Sequence, residues 1–266
     1  LDGNVNFRLS EGINLKFGRF LVPYSYAWYD HLEQYFIAPE RGLYTLNFGL
    51  ARQAGLMLWG NLLDDRVQYA VAGTSGHLSG VADNNYTREA TGYLNVRPFG
   101  GGEEGSLLRY FNIGGSIAGG QTTRPGMPLP LRTSVQASEN DEGVEGASAV
   151  FLVYNEGTAA LGSRFQGAVH LAWYYKQWSL EAEWQAGRSQ AIRHGRPGRI
   201  MVPTLGYDVT LSNFITGEEV HDRSRLEPLR PFRLGSFLRD PRAIELSGHY
   251  SQLNLGEVVF TEGLAN

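Results

Sequence analysis

Apolar and polar residues alternate with a period of two along most of this chain. In "LGYDVTLSN" (205–213), Leu205, Tyr207, Val209 and Leu211 point one way and Gly206, Asp208, Thr210 and Ser212 the other. "AIELSGHYS" (243–251), "QGAVHLAWYY" (166–175), "SLEAEWQAG" (179–187) and "RVQYAVAGT" (66–74) repeat the pattern. Each predicts a strand of about nine or ten residues, the length that crosses a bilayer at a tilt. The segments add up to about eleven or twelve strands. One face of each is large and aromatic; the other is small and polar. A soluble sandwich buries its large residues and shows a Lys-rich exterior. Large apolar residues outside and small polar ones inside predict a water-filled membrane barrel.

The connections alternate in length. "NLLDD" (61–65) and "KQW" (176–178) are short; 76–86, 121–147, 188–202 and 218–241 are long and rich in Gly, Pro and charge. Short turns at one end and long loops at the other suit an outer-membrane barrel. The stretch 22–43, "VPYSYAWYDHLEQYFIAPERGL", lacks alternation and predicts a partly helical segment folded into the lumen. In "INLKFGRF" (13–20) the apolar phase of Ile13, Leu15 and Phe17 meets Arg19. Facing lipid, an arginine costs about 2–4 kcal/mol at the midplane and near zero at the interface. Two positions follow for Arg19: a snorkelling site at the membrane interface, or the mouth of the pore.

Composition narrows the class. The 266 residues suffice for one large domain or two small ones, and the strand pattern makes them a single barrel domain; the absence of cysteine excludes disulfides and Cys-zinc sites. A net charge of −4 gives no basic field for nucleic acid. No apolar run approaches the roughly 18 residues of a membrane helix, which excludes a helical membrane protein but not a barrel. Of the 23 basic residues all but Lys16 and Lys176 are arginine. A GC-rich genome would produce that skew; so would selection for planar forks that grip oxyanions. The chain opens on strand-like residues at Leu1 without a signal peptide, as a processed or truncated chain would.

"INLKFGRFLVPYSY", then "IAPERGL", "ARQAGLMLWGNLLDDRVQYAVAGTSG", "GYDVTLSNFITGEE" and "AIELSGHYSQLNL" resemble, in that order, segments of the phosphate-selective porin O and P family. The resemblance spans about residues 12–255. It implies a homotrimer of 16-stranded transmembrane antiparallel barrels in the bacterial outer membrane, with this chain lacking strands at both ends. It also implies passive diffusion of small hydrophilic solutes, inorganic anions such as phosphate among them, with no catalysis and no cofactor. Its partners would be the lipid bilayer, lipopolysaccharide and the passing solutes.

By the same resemblance 22–43 is the pore-constricting loop, and Glu40-Arg41 matches the family's Glu-Arg pair, with Arg41 at the constriction. "TTRPGMPLPLRTS" matches a long Arg-bearing loop and retains Arg124 and Arg132 as anion contacts, with Arg19 a further candidate. Where the family's loop contributes Lys, "AWYDHLEQYF" (27–36) has Asp30, His31 and Glu33. That departure favours a general or differently selective porin over a dedicated phosphate channel. Glu40, Glu181 and Glu183 would be lumen acids facing the arginines.

Other constellations weigh less. Glu181 and Glu183 could form a glycosidase pair in a soluble all-β carbohydrate-active protein, but carboxylates two apart on one strand usually belong to a solvated face. The six histidines have no metal spacing. "SENDEGVE" (138–145) misses the EF-hand order, and "GGSIAGG" (114–120) is followed by no Gly-Lys-Ser/Thr; its glycines let bulky neighbours pack. "RSRLEPLRPFRLGSFLRDPR" (223–242) holds six arginines and reads as an extracellular loop meeting lipopolysaccharide or guiding anions. A structural barrel with a plugged lumen is the remaining alternative.

Overall fold

A computed structural model describes residues 3–29, 37, 41–75, 87–133, 149–223, 228–229 and 243–266. Among these the chain is all-β. Ten strands form one antiparallel sheet: β1 (Gly3–Arg8), β2 (Asn14–Leu21), β3 (Arg52–Leu62), β4 (Val67–Thr74), β5 (Thr87–Val96), β6 (Tyr110–Gly126), β9 (Thr158–Tyr175), β10 (Trp178–Arg193), β11 (Ile200–Phe214) and β12 (Glu245–Leu255). They lie in chain order, with β1 and β12 as edges, and the sheet does not close on itself. Between β6 and β9, the short strands β7 (Leu131–Arg132) and β8 (Val150–Leu152) pair separately. Among the described residues helical structure is confined to α1 (Tyr26–Tyr29), α2 (Leu43–Phe48) and α3 (Val258–Thr261). No helix among the described residues is long and apolar enough to cross a membrane.

The period-two segments lie in strands apart from Arg66, Ala243 and Ile244 at their ends, and their phase decides what is buried. Partners across an antiparallel pair share a face, so side chains can be followed in rows from strand to strand. One row runs Met57–Ala72–Thr91–Ala118–Gln166–Gly187–Thr204. It lies on the inner face, where the 22–51 insertion packs; Met57 is 0 % exposed and Gln166 2 %. The neighbouring row, Leu56–Gly73–Ala90–Gly119–Phe165–Arg188, faces the other way. Large apolar residues on this outer face are bare: Phe17 is 64 % exposed, Val169 54 % and Tyr250 60 %. The usual soluble distribution is inverted.

Three expectations change. Strands of nine or ten residues become strands of 15 to 18 in β6, β9, β10 and β11. The predicted long loop 188–202 is mostly strand: β10 continues through a register shift at Ser189/Ala191 to Arg193, and β11 begins at Ile200. Polar pairing carries these strands on where the apolar alternation fades. Finally, the long connections do not all lie at one end. In an antiparallel meander the connections alternate ends. The C-terminal ends of β2, β4, β6 and β10 therefore share one end of the sheet, which we call the loop end. Phe214 and its partner Glu245 stand at the other, the turn end, beside the Lys176–Gln177 turn. Most of the Arg-rich stretch 223–242 lies outside the described residues.

The tight turns take left-handed backbone at non-glycine positions: Leu63, Asp64 and Asp65 between β3 and β4, and Lys176 between β9 and β10. Beyond Phe214 the chain folds back beneath the turn end. The Val220 amide donates to the Lys176 carbonyl at 2.7 Å, and His221 stacks on Tyr110 at 4.4 Å.

Candidate functional site on the covered polar face

The inner face carries the polar residues the alternation selects, and the insertion lies across it. Val22, Tyr24, Ser25 and Tyr26 are buried against the sheet. The Ser25 Oγ–H donates to Glu183 Oε2 at 2.7 Å, and the Tyr26 amide donates to Glu183 Oε1 at 3.0 Å. The Ser25 amide donates to Ser116 Oγ at 3.0 Å. Ser25 holds a positive φ of 67° to present all three groups at once, a conformation that costs a non-glycine residue about 1 kcal/mol or more. Glu183 is thus the anchor of the insertion on β10. Its neighbour Glu181 accepts a hydrogen bond from the Tyr174 hydroxyl at 2.7 Å.

The insertion does not stop at residue 43. It continues through α2 to the start of β3 at Arg52, and α2 is docked as firmly as α1. Tyr44 fills a socket opened by Gly187 and Gly206, where any Cβ would meet the tyrosine. The Leu43 amide donates to Ser251 Oγ at 2.7 Å, and the Gln185 side-chain amide donates to Thr45 Oγ1. Gly42 lies against the Asp208 carboxylate, which holds His249 Nε2 at 2.9 Å. Burial raises the ionisation of the Tyr24 and Tyr44 hydroxyls above the ordinary tyrosine range.

Two further polar clusters cross the inner face. Arg164 pairs with Glu89 at 2.6 Å; Glu89 also accepts from the Gln53 side-chain amide at 3.0 Å, and Thr74 reaches Gln53. His170 lies between the Tyr26 ring at 4.5 Å and the Tyr93 ring at 5.7 Å, with Asn95 Oδ1 at 3.1 Å from its Nε2. Gly114 makes room for the His170 ring, as the expected role of the glycine-rich stretch requires.

The arginines separate. Arg41 is half-exposed and stacks its guanidinium 3.8 Å from the Trp28 ring centre. Arg132 is bracketed through its backbone by Asn47 of α2, at 2.9 and 3.0 Å. Arg124 is exposed near the loop end of β6. Arg19 continues the outward phase of Leu15 and Phe17, in register with Ala54 and Gly3, and is exposed. It stands on the face that carries Phe17, the outer face of the sheet. Glu40, Asp30, His31 and Glu33 lie outside the described residues. Lys16, which the motif reading passed over, is the basic residue that β2 turns inward, 5.3 Å from the Trp59 ring centre.

Glu89, Arg164, His170, Asp208 and His249 were also missed as a set. Each occupies the polar phase of its strand, so extending the period-two register would have found them. Among the described residues no cluster of three or more His, Cys, Asp or Glu is placed to hold a metal ion. No family model, no curated protein and no solved structure matches the chain.

Proposed function

We propose that this chain is part of the wall and the inward loop of an outer-membrane β-barrel porin, through which small hydrophilic solutes diffuse passively. One observation carries the reading. On the outer face, five successive rows, from Leu15–Leu58–Val71–Gly92–Ile117–Gly167–Ala186–Leu205 to Tyr175–Trp178–Asn213–Leu246, contain no Asp, Glu, Lys, Arg or His. The inner face of the same strands holds Lys16, Glu89, Arg164, His170, Glu181, Glu183, Asp208 and His249. From Arg188 to Trp178, β10 runs about 34 Å along its axis. At the usual tilt that is about 25 Å of height, the apolar band of a barrel in a bilayer. Closure into a barrel of about 16 strands, assembly as a trimer and residence in the outer membrane belong to this proposal.

In the pore Arg41 offers its guanidinium edge from the insertion, with Trp28 behind it, and Arg132 lies beside α2. Both suit weak, passing contact with anions such as phosphate. The experiment is conductance of the full chain in a planar bilayer under a KCl gradient. Stable stepwise current supports the reading, and an anion-selective reversal potential that falls in Arg41→Ala supports the role of Arg41. Failure of the refolded chain to enter vesicles sinks it.

A second reading has an observation of its own. The inner face is densely covered, with Tyr24 and Val22 at 0 % exposure. A structural barrel plugged by its insertion would insert into bilayers and carry no current.

A further inference from the structure

We propose that Glu218, with Ser179 and Ser212, forms a cation site at the turn end, where a hard cation bound through oxygen pins the segment after β11 to the inner face. The site is separate from the insertion and does not depend on the porin reading.

Backbone bonds fold that segment back. The Phe214 amide donates to the Gln177 carbonyl at 2.9 Å, the Gly217 amide to the Phe214 carbonyl at 3.0 Å, and the Val220 amide to the Lys176 carbonyl at 2.7 Å. Gly217 makes the bend at a φ of 91°, where a side chain would be strained. The bend brings Phe214 and Val220 into one buried cluster with Tyr174 of β9. Tyr174, Ser179 and Ser212 follow one another in register across the inner face of β9, β10 and β11. The fold-back therefore covers this row: Ser179 is 0 % exposed, Ser212 1 %, and Glu218 in the covering segment 1 %.

Burial leaves these side chains short of partners. Among the described residues Glu218 Oε1 and the hydroxyls of Ser179 and Ser212 have no hydrogen-bond partner. Glu218 Oε2 accepts from the Thr216 hydroxyl, whose oxygen accepts from the Ile244 amide at 3.0 Å. The nearby basic groups are engaged elsewhere. Arg223 grips both oxygens of Glu245 at 2.9 and 3.3 Å, Lys176 is exposed with its ammonium 5.4 Å from the Tyr175 ring centre, and His221 stacks on Tyr110. A buried carboxylate without a counter-charge is costly. A bound cation removes that cost: the carboxylate supplies charge and the serine oxygens supply neutral lone pairs. A donor set made only of oxygen selects a hard ion over zinc or copper. Magnesium holds on to several waters, for which a buried site has little room, so calcium and sodium share the fitting chemistry. A single carboxylate makes the site weak, with calcium held at about 0.1–1 mM.

The test strips the detergent-folded full chain with EGTA and titrates it with terbium, a calcium mimic whose emission is sensitised by a nearby tyrosine. Tyr174, opposite Ser179, and its own register partner Tyr110 are the sensitisers. The emission should saturate, and calcium at about 1 mM should displace it while magnesium at that concentration does not. E218Q should bind terbium at least about tenfold more weakly. E219Q removes an exposed carboxylate of the same turn and should bind as the parent chain does. S179A/S212A should fall between E218Q and the parent. Displacement by sodium and not by calcium supports the site with sodium as its occupant. Unchanged terbium affinity in E218Q overturns the site, and so does a folded parent chain that gives no sensitised emission. If E218Q does not fold, S179A/S212A decides, and parent-like affinity there overturns the site. Failure of the chain to enter vesicles would overturn the porin reading and leave this result standing.

Discussion

Glu89 has a side chain only 1 % exposed, and its charge is met by Arg164 and by the Gln53 amide. Removing one partner of such a pair leaves an uncompensated charge, which costs more than the pair itself contributes. Arg164→Met should therefore lower stability by about 3 kcal/mol, near the low end of such losses because Gln53 remains. The double change R164M/E89Q should recover much of that, and urea titration of the vesicle-inserted chain reads both. Gly206 makes a steric prediction. Gly206→Ala drives a methyl into Tyr44 and should cost about 1–3 kcal/mol, while Gly248→Ala, with open space around it, should stay within about 1 kcal/mol. If both alanines behave alike, Tyr44 does not fill the socket. Residue identity on each face was legible from the alternation, including Arg19, whose phase already matched Leu15 and Phe17. The partners were not: nothing local to Ser25 announces Glu183, because the bond joins residues 158 apart.

The insertion is held by hydrogen bonds from neutral groups and by two buried tyrosines, and this gives it a pH response. Tyr24 and Tyr44 ionise less readily when docked than when released. Their stabilisation is complete below the ordinary tyrosine range, about pH 10. It is lost as pH rises beyond that, since only the released segment then sheds its protons. Chymotrypsin cleavage at Tyr24, Tyr26 and Tyr44 should stay low to about pH 10 and rise above it, while strand content holds. Early cleavage at these tyrosines at neutral pH would show that they are not docked. The sequence marked this insertion by its missing alternation, but placed its end at 43. α2 itself keeps no strand period, and its burial is decided by the glycines of β10 and β11 far along the chain. Strand ends were misjudged for a related reason. "RSQAIR" carries no apolar stripe, so β10 appeared to end where its apolar side chains did, yet backbone pairing continued.

For the whole molecule, the charge-free outer rows set a depth scale. Val169→Arg, mid-band, should cost about 2–4 kcal/mol and sharply reduce folding into vesicles, while Gln121→Arg, in the row of Arg88, should cost about 0–1 kcal/mol. Equal tolerance of both would mean that water, not lipid, meets this face. The all-β class and the inverted faces could be read from the chain because the period survives any tertiary arrangement. Which end each connection occupies could not, because it depends on counting every strand between them. The chain consequently leaves β11 and enters β12 at the turn end.

The bond between Ser25 and Glu183 also orders events in time. Residues 22–29 leave the growing sheet after β2, but their acceptors on β6 and β10 exist only once those strands have been laid down. A contact of such span closes late, after the loop entropy between its ends has been reduced by the intervening pairing. The sheet must therefore assemble with its polar face open to water, and the insertion settles onto a wall already built. The interior is furnished last, so a chain arrested before β10 would leave its inward loop with nowhere to dock.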